Sequence, residues 1–425
     1  MKKKVLSTLL VGAMAASLFA GCTGNKTTTT AGGNNNNVER PTMAEYGSGT
    51  IKIWTADACV ELTQKAANDF IAAHPEYAGY KVEVTATGEN VAADNVINDL
   101  DAAADIYGFP QDQLSRLVNA GALAQFGTFY ANSVATSNDA GSVQAAQMGA
   151  ETYAFPYTSD NGYYLYYDKN VISDPTNLEK MIEECEAAEK NFYFDLGNGW
   201  YQTSFFFATG CELTYDTNDK GEFTKCNISY NSDAGLVALK EMSDMSESPF
   251  FVGGSEADQA NNVGFMVVGV WADETMHTLL GDGYAVAKLP KFTGSDGKEY
   301  QLSGFGGFKL MGVKPQEDPA KQMVCFHLAE YLTGKDVQLQ RFKAAGFGPS
   351  NLEAQQDSEV QANEALAALG AQLAHTIPQG QYPGDYWSRA GALFNDIKDA
   401  GLTDDELKAQ LAKFQADCES YCNAE

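Results

Sequence analysis

The stretch Thr50-Ile51-Lys52-Ile53-Trp54 begins the part of the chain that has a regular pattern of apolar residues. Its apolar and polar residues alternate, which predicts a short β-strand with one buried face. Val60 to Ala73 then has apolar residues at helical spacing, and His74-Pro75 ends that helix. Tyr80 to Thr85 alternates like the first stretch and predicts the next strand. The chain's body therefore opens with a β-α-β unit.

The alternation of strands and helices continues along the chain. A helix over residues 95–103, a strand over 105–107 and a helix over 114–120 extend the order to β-α-β-α-β-α. This order predicts a mostly parallel sheet covered by helices. Further strands are predicted over 163–167, 192–194, 265–270 and 284–287, and further helices over 364–373, 388–400 and 404–416. About 375 residues follow residue 50, which is enough for two α/β lobes of ordinary domain size.

The N-terminus has the features of a secretory leader. Three lysines at 2–4 precede an uncharged, largely apolar run from Val5 to Phe19, which ends in Ala20-Gly21-Cys22. The run is shorter than the roughly 20 apolar residues that a membrane-spanning helix needs. The segment resembles a bacterial lipoprotein signal, which implies that residues 1–21 are removed and that Cys22 carries a lipid. An ordinary signal peptide with an incidental cysteine is the alternative.

A polar segment separates this leader from the body. Residues 23–50 contain Thr27 to Thr30 and Asn34 to Asn37 and have almost no apolar side chains. Such a sequence buries too little surface to offset the entropy of ordering, so we predict a flexible linker over 22–50. A lipid at Cys22 would then hold the body at the extracellular face of the bacterial cell membrane.

The composition excludes several classes of partner and chemistry. The formal charge of −28 repels nucleic acid and anionic lipid surfaces. The four histidines are scattered without metal-ligand spacing, and we expect neither a metal nor a cofactor. No Gly-x-Ser-x-Gly nucleophile elbow occurs. These observations favour a protein that is not an enzyme, although the many carboxylates leave an acid pair of the glycosidase kind open.

The cysteines do not form a complete disulfide set. Eight are present, and seven remain when Cys22 is set aside, an odd number. Cys211 and Cys226 flank a segment with strand-like ends and a turn signal at Asn218-Asp219-Lys220-Gly221. A turn centred between Asn218 and Asp219 would place the two cysteines opposite one another. We therefore predict a disulfide between them.

Fragments spread over the body carry a family resemblance. They are Ile51-Lys52-Ile53-Trp54, Ala104-Asp105-Ile106 with Ala120-Gly121-Ala122-Leu123, Tyr153-Ala154-Phe155-Pro156-Tyr157 with Tyr166-Tyr167-Asp168-Lys169-Asn170, Val263-Gly264-Phe265-Met266 with Gly269-Val270-Trp271, Phe347-Gly348-Pro349-Ser350, and Tyr386-Trp387. Each fragment is short, but together they occur at family-like intervals. In this order of fragments, the chain resembles the solute-binding proteins of bacterial ABC importers, of the larger sugar-binding kind that includes the maltodextrin-binding proteins.

The resemblance implies a two-lobe fold of the periplasmic-binding-protein type II kind, with a ligand cleft between lobes that crossing segments join. The first lobe would use residues 51–157 with 302–353, and the second 160–300 with 354–425. A ligand gripped by both lobes favours the closed form through the contacts it makes only there. The expected partner is an ABC permease, and the protein is expected to be a monomer.

Sugars present flat apolar ring faces and a periphery of hydroxyls, so their sites combine aromatic rings with carboxylates and amides. By the resemblance, Phe109 and Trp200 fall on stacking positions, with packing of Phe109 and stacking by Tyr201 as the alternatives. Trp271, followed by Asp273, stands at a strand end where α/β sheets bind ligands. One of Tyr386 and Trp387 is expected to face the cleft. Trp54 is expected to pack in the core.

The polar candidates complete the predicted site. The resemblance places Asp112 on a hydroxyl-binding position, with Gln113 where the relatives have an Arg, and Asp160 near the place of an acidic sugar ligand. Asn161 beside it and Asp57 after the first strand are further candidates; each could also be solvated or cap a helix. The leading hypothesis is a receptor for maltooligosaccharides, with xylo- or fructo-oligosaccharides as rival ligands and a surface-tethered glycoside hydrolase as the alternative class.

Overall fold

In the computed structural model, which describes residues 38–422, the chain is organised around two separate main sheets. The predicted signal peptide, Cys22 and the linker up to residue 37 lie outside the described residues. Seventeen strands are described: β1 Gly49–Thr55, β2 Tyr80–Ala86, β3 Ile106–Pro110, β4 Gln147–Met148, β5 Glu151–Thr152, β6 Ala154–Gly162, β7 Tyr164–Asp168, β8 Asn191–Tyr193, β9 Leu213–Thr217, β10 Phe223–Ile228, β11 Phe251–Val252, β12 Val263–Val268, β13 Tyr284–Ala287, β14 Lys291–Thr293, β15 Glu299–Gln301, β16 Phe305–Val313 and β17 Ile377–Pro378.

Fifteen α-helices cover these sheets within residues 38–422. They are α1 Val60–Ala73, α2 Glu89–Asn98, α3 Leu114–Asn119, α4 Thr128–Ser137, α5 Ala140–Ala145, α6 Leu178–Ala187, α7 Gly199–Ala208, α8 Asp233–Ser246, α9 Asp273–Leu280, α10 Pro319–Leu332, α11 Lys335–Ala345, α12 Ser358–Ala362, α13 Glu364–Leu373, α14 Tyr386–Ile397 and α15 Asp404–Glu419. No helix in this part of the chain is both long and apolar enough to span a membrane.

The first sheet has the strand order β17-β16-β3-β1-β2, and β6 also pairs with β16. β1 runs parallel to β2 and β3, as the β-α-β pattern predicts, whereas β16 runs antiparallel to β3 and β6. Ile51 and Ile53 are fully buried and the intervening Lys52 is exposed, so the alternation in β1 does place one face in the core.

The second sheet has the order β11-β8-β12-β7-β13. β12 is buried at all six positions, because it lies centrally between β8 and β7 with helices on both sides. Two apolar clusters pack on the first sheet, and two pack mainly on the second, one of which also includes Phe305 of β16. The mixed α/β class is therefore confirmed, and the exact lobe boundaries stay a prediction.

Three local predictions from the sequence were wrong. The second helix covers Glu89–Asn98 rather than residues 95–103, because Gly88 provides its N-cap and Asp99 ends it. The Asp99 carboxylate then accepts a hydrogen bond from the backbone N–H of Ala102, 3.0 Å away, which holds the next residues in a turn.

The linker also ends earlier than predicted. Tyr46 is buried against Tyr77, with ring centroids 4.8 Å apart, and the Tyr80 hydroxyl donates to the Tyr46 carbonyl at 2.5 Å. Arg40 forms an ion pair of 2.6 Å with Glu330. Residues 40–46 therefore belong to the packed body, since one aromatic ring with satisfied backbone groups is enough to dock a short segment.

The predicted disulfide is corrected by the register of the β9–β10 hairpin. Cys226 stands opposite Tyr215, and Cys211 lies before β9. The loop is closed by a bond from Asn218 N–H to the Glu222 carbonyl, which shifts the turn toward the C-terminus from its predicted centre. Both cysteines are free thiols, and the Cys211 sulfur lies 3.6 Å from the Thr209 hydroxyl.

Candidate functional site

Three chain segments meet where the two main sheets adjoin. β6 ends at Gly162, and β7 of the second sheet begins at Tyr164, so the chain passes directly from one sheet to the other. Gly306 at the start of β16 pairs with Gly162 on one side and with Pro378 on the other. At Gly307 an added Cβ would lie 3.1 Å from the Gln379 side-chain oxygen, so only glycine fits without displacing it.

Two tryptophans stand over this junction. Trp271 follows β12 in a single 3-10 turn and is 39% exposed, the only tryptophan among the exposed large apolar residues of the described chain. Trp200 lies in the first turn of α7, which Asn198 caps through a bond of 2.9 Å to the Trp200 backbone N–H. The two rings are 5.9 Å apart and tilted by 37°. Tyr163 packs edge-on against Trp200 at 4.7 Å.

A buried amide, Gln379, connects these rings to the polar candidates. Its side-chain oxygen accepts from Trp200 Nε1 at 3.1 Å and from Asn161 Nδ2 at 3.2 Å, and its Nε2 donates to Asp112 Oδ1 at 2.8 Å. The Gln111 Nε2 group donates to the backbone carbonyl of Gln379. The structure thus brings three of the predicted residues together around a residue that the sequence did not single out.

A buried cation lies beneath the exposed tryptophan. Lys309 on β16 places its ammonium 2.8 Å from a Glu89 carboxylate oxygen, with both side chains only 8% exposed. The same ammonium faces the Trp271 ring at 5.2 Å and the Phe347 ring at 4.3 Å. Burial acts to lower the pKa of Lys309, but the nearby carboxylates outweigh it and hold that pKa above its usual range. The Tyr157 hydroxyl donates to the other Glu89 oxygen.

The two predicted aspartates are both buried. Asp160 accepts a bond of 2.5 Å from the Gly348 backbone N–H, and burial raises the pKa of its carboxyl. Burial also raises the pKa of Asp112 to about 7, against the lowering effect of its bonds from Gln113 and its own backbone. Gln113 in turn accepts from Arg116 at 2.5 Å.

Asp112→Asn is expected to change how stability depends on pH. The folded pKa of Asp112 lies above its unfolded value, so the folded wild type binds the proton more tightly, and stability from this group is lost as pH rises from about 4 through 7. The free energy of unfolding can fall by about 4 kcal/mol from this cause in the wild type, whereas the asparagine variant has no carboxyl to ionise and does not lose it. Urea unfolding of both proteins at pH 4.5, 6 and 8 should show the variant gaining on the wild type. If the stabilities of the two proteins changed in parallel with pH, the raised pKa of Asp112 would be contradicted.

Other predicted aromatic residues pack in the cores and do not join this hydrogen-bonded cluster. Phe109, Tyr201 and Tyr386 are buried in the cores, so their rings offer no face to a ligand in this structure and are corrected to packing. In the pair Trp200 and Tyr201 the partly exposed ring is Trp200, and in the pair Tyr386 and Trp387 it is Trp387. The Trp387 ring packs on Tyr382 and Phe305.

The remaining candidates have individual environments. Asp57 is exposed in the short turn after β1, and half-buried Asp273 accepts a bond of 2.5 Å from the Tyr284 hydroxyl. Trp54 is half-buried and packs against the core of the first sheet. Within residues 38–422, no group of three His, Cys, Asp or Glu side chains is arranged to hold a metal.

The sequence carried only a weak signal for the residues it missed. Lys309 interrupts the apolar run of β16, and a charge inside a buried strand indicates a paired or functional group. Gln379 lies in Pro378-Gln379-Gly380-Gln381, which has the composition of an ordinary loop. Its role depends on contacts with residues 179 to 267 positions away.

Comparison with known proteins agrees with this architecture. The family model of bacterial extracellular solute-binding proteins matches residues 65–368. A search of curated proteins finds no match. A solved structure with acarbose is similar at 26% identity with a TM-score of 0.77, covering 88% of this chain and 99% of the other.

Two further solved structures share the fold at lower identity. The maltodextrin-binding protein MalE1 of L. casei BL23, without ligand, is 21% identical with a TM-score of 0.71, covering 88% of this chain and 99% of the other. The maltose-maltodextrin binding protein of Alicyclobacillus acidocaldarius is 18% identical with a TM-score of 0.72, covering 86% and 99%. The predicted two-lobe class is therefore confirmed.

Proposed function

The chain belongs to the bacterial extracellular solute-binding proteins, and from that premise we propose that it captures an oligosaccharide, foremost a maltooligosaccharide, and delivers it to an ABC permease without chemical change. The observation that carries this proposal is the Trp271–Trp200 pair, whose rings lie 5.9 Å apart above a floor of amides and carboxylates. Flat rings suit the apolar faces of pyranoses, and the floor suits their hydroxyls.

The comparisons support the choice of α-glucans. Similar solved structures include a cyclo/maltodextrin-binding protein with maltotetraose and a maltose/maltodextrin-binding domain of Bdellovibrio bacteriovorus with maltotriose. The buried cation beneath Trp271, Lys309, is already paired with Glu89, so its charge is not free to attract an anionic ligand. A neutral sugar is therefore favoured.

A panel of sugars tests the proposal. The soluble body is heated with maltotriose, maltotetraose, xylotriose or a fructo-trisaccharide, each followed by chromatography for products. Ligand at 100 times its Kd stabilises the folded state by about 2.7 kcal/mol, so maltooligosaccharides should raise the Tm by several degrees. A shift only with xylo- or fructo-sugars would refute the glucan assignment. No shift would refute sugar binding, and hydrolysis products would establish the glycosidase alternative.

We also propose that Cys22 carries a lipid that holds the protein at the outer face of the cell membrane. A tether keeps a receptor at high effective concentration near its permease. Cys22→Ala, expressed in a Gram-positive host, is expected to move the protein from the membrane fraction to the medium. Retention in the membrane fraction would contradict the anchor, and Cys211→Ala is the matched control.

A further inference from the structure

Gln379 holds an unusual position in the fold. Its backbone N–H bonds to the Gly306 carbonyl at 3.0 Å, beside β17, and its side chain is buried at the junction of the two main sheets. That one amide contacts Asp112 after β3, Asn161 on β6 and Trp200 on α7. It therefore connects the first sheet, a crossing strand and a helix that packs in the core of the second sheet.

The orientation of this amide is determined by its neighbours. Trp200 Nε1 and Asn161 Nδ2 are donors, and both point to the Gln379 oxygen, whereas the Asp112 oxygen accepts from Gln379 Nε2. A flipped amide would set its NH₂ group against two donors and its oxygen against a carboxyl oxygen. The hydrogen-bond network thus permits only one orientation.

We infer that Gln379 is a positioning residue for the proposed sugar site: it sets the orientation of the Trp200 ring and ties that ring to the segment on which the two sheets hinge. This inference rests on the proposed function for its effect on sugar affinity, but the contact between Gln379 and Trp200 is testable without any sugar. Indole N–H is a donor only, and within residues 38–422 its hydrogen-bond acceptor is Gln379.

Gln381 provides a matched control. It lies two residues further on, and its amide accepts from the Ser115 backbone N–H at 2.8 Å and donates to the Gln111 carbonyl at 2.9 Å. These two hydrogen bonds join the same loop to residues that follow β3 of the first sheet, and neither of them involves Trp200. Methionine has nearly the shape of glutamine and no amide, so Gln379→Met and Gln381→Met remove equivalent groups.

The first measurement is sugar-free. With indole-¹⁵N tryptophan, the protein shows the N–H signals of its four tryptophans, and loss of one signal in Trp200→Phe assigns Trp200. Gln379→Met is expected to shift the Trp200 signal and speed its exchange with solvent, whereas Gln381→Met leaves it in place. Gln379→Glu keeps an acceptor for the indole, and at pH 5, where a proton on Asp112 can bridge the two carboxyl groups, it should retain a slowly exchanging Trp200 signal.

The second measurement is calorimetric titration with maltotriose. Gln379→Met is expected to weaken binding about 10-fold, and Gln381→Met less than 2-fold. An unmoved Trp200 signal in Gln379→Met, equal weakening by both variants, or tighter binding by Gln379→Met would overturn the inference. If the indole signal moves but the wild type binds no sugar in the panel, the contact stands and the proposed function fails instead.

Discussion

Trp271→Ala is expected to weaken maltotriose binding by roughly 100-fold or more, which corresponds to about 3 kcal/mol. The reason is that Trp271 combines a 39% exposed ring with a fixed position over Lys309 and beside Trp200. A ring held in place before the ligand arrives loses little conformational entropy on binding. Titration calorimetry of the wild type and the variant measures the effect.

The same substitution should cost little stability, because Lys309 keeps its ion pair with Glu89 and its contact with Phe347. Trp54→Ala is the matched control, since that half-buried ring packs in the core of the first sheet. The control should lose stability and keep its affinity for sugar. A Trp271→Ala protein that unfolds, or one that binds sugar normally, would return Trp271 to a structural role.

Lys309→Met is expected to lower the free energy of unfolding by about 3 to 5 kcal/mol. Methionine fills the space of the lysine stem, but the Glu89 carboxylate would then be buried without its paired ammonium, retaining the bond from Tyr157. A buried unpaired charge is the costly outcome, more than the loss of the pair itself. Urea unfolding of the sugar-free protein measures the change.

A double variant separates this cause from simple loss of packing. Lys309→Met combined with Glu89→Gln removes both charges, so it should recover most of the lost stability. Lys65→Met, which breaks an exposed ion pair with Asp69, should leave stability unchanged. A double variant no more stable than Lys309→Met alone would show that packing, rather than the unpaired carboxylate, causes the loss.

Most features that depend on residues close together in the chain were predicted correctly, and most features that depend on distant residues were not. The helix predicted over Val60 to Ala73 forms with those bounds, and β1, β2 and β13 lie within about two residues of their predicted positions. Apolar spacing reports a buried face directly, since each helix or strand repeats its contacts along its own length. The helix predicted over residues 95–103 instead begins at Glu89, because Gly88 and the polar residues after it, rather than apolar spacing, set its start.

The candidate site was predictable only in part. Trp200 and Trp271 were predicted from local features, a glycine-flanked turn and a strand end, and the structure places their rings 5.9 Å apart. Phe109 was assigned a ligand-facing position, yet its strand is covered on both faces, which its own residues do not reveal. The register that separates Cys211 from Cys226 likewise depended on the turn that Asn218 and Glu222 close, which lies further along the chain than predicted.

The α/β class, the family resemblance and the aromatic candidates for the site were predictable from the chain alone, because each of these is encoded in short stretches of residues. The ion pair of Lys309 and Glu89 beneath Trp271, and the link that Gln379 makes between Asp112 and Trp200, depend on how the chain folds. Those groups come from segments far apart in the chain. Their hydrogen bonds and ion pairs exist only once folding has removed water from the junction between the sheets.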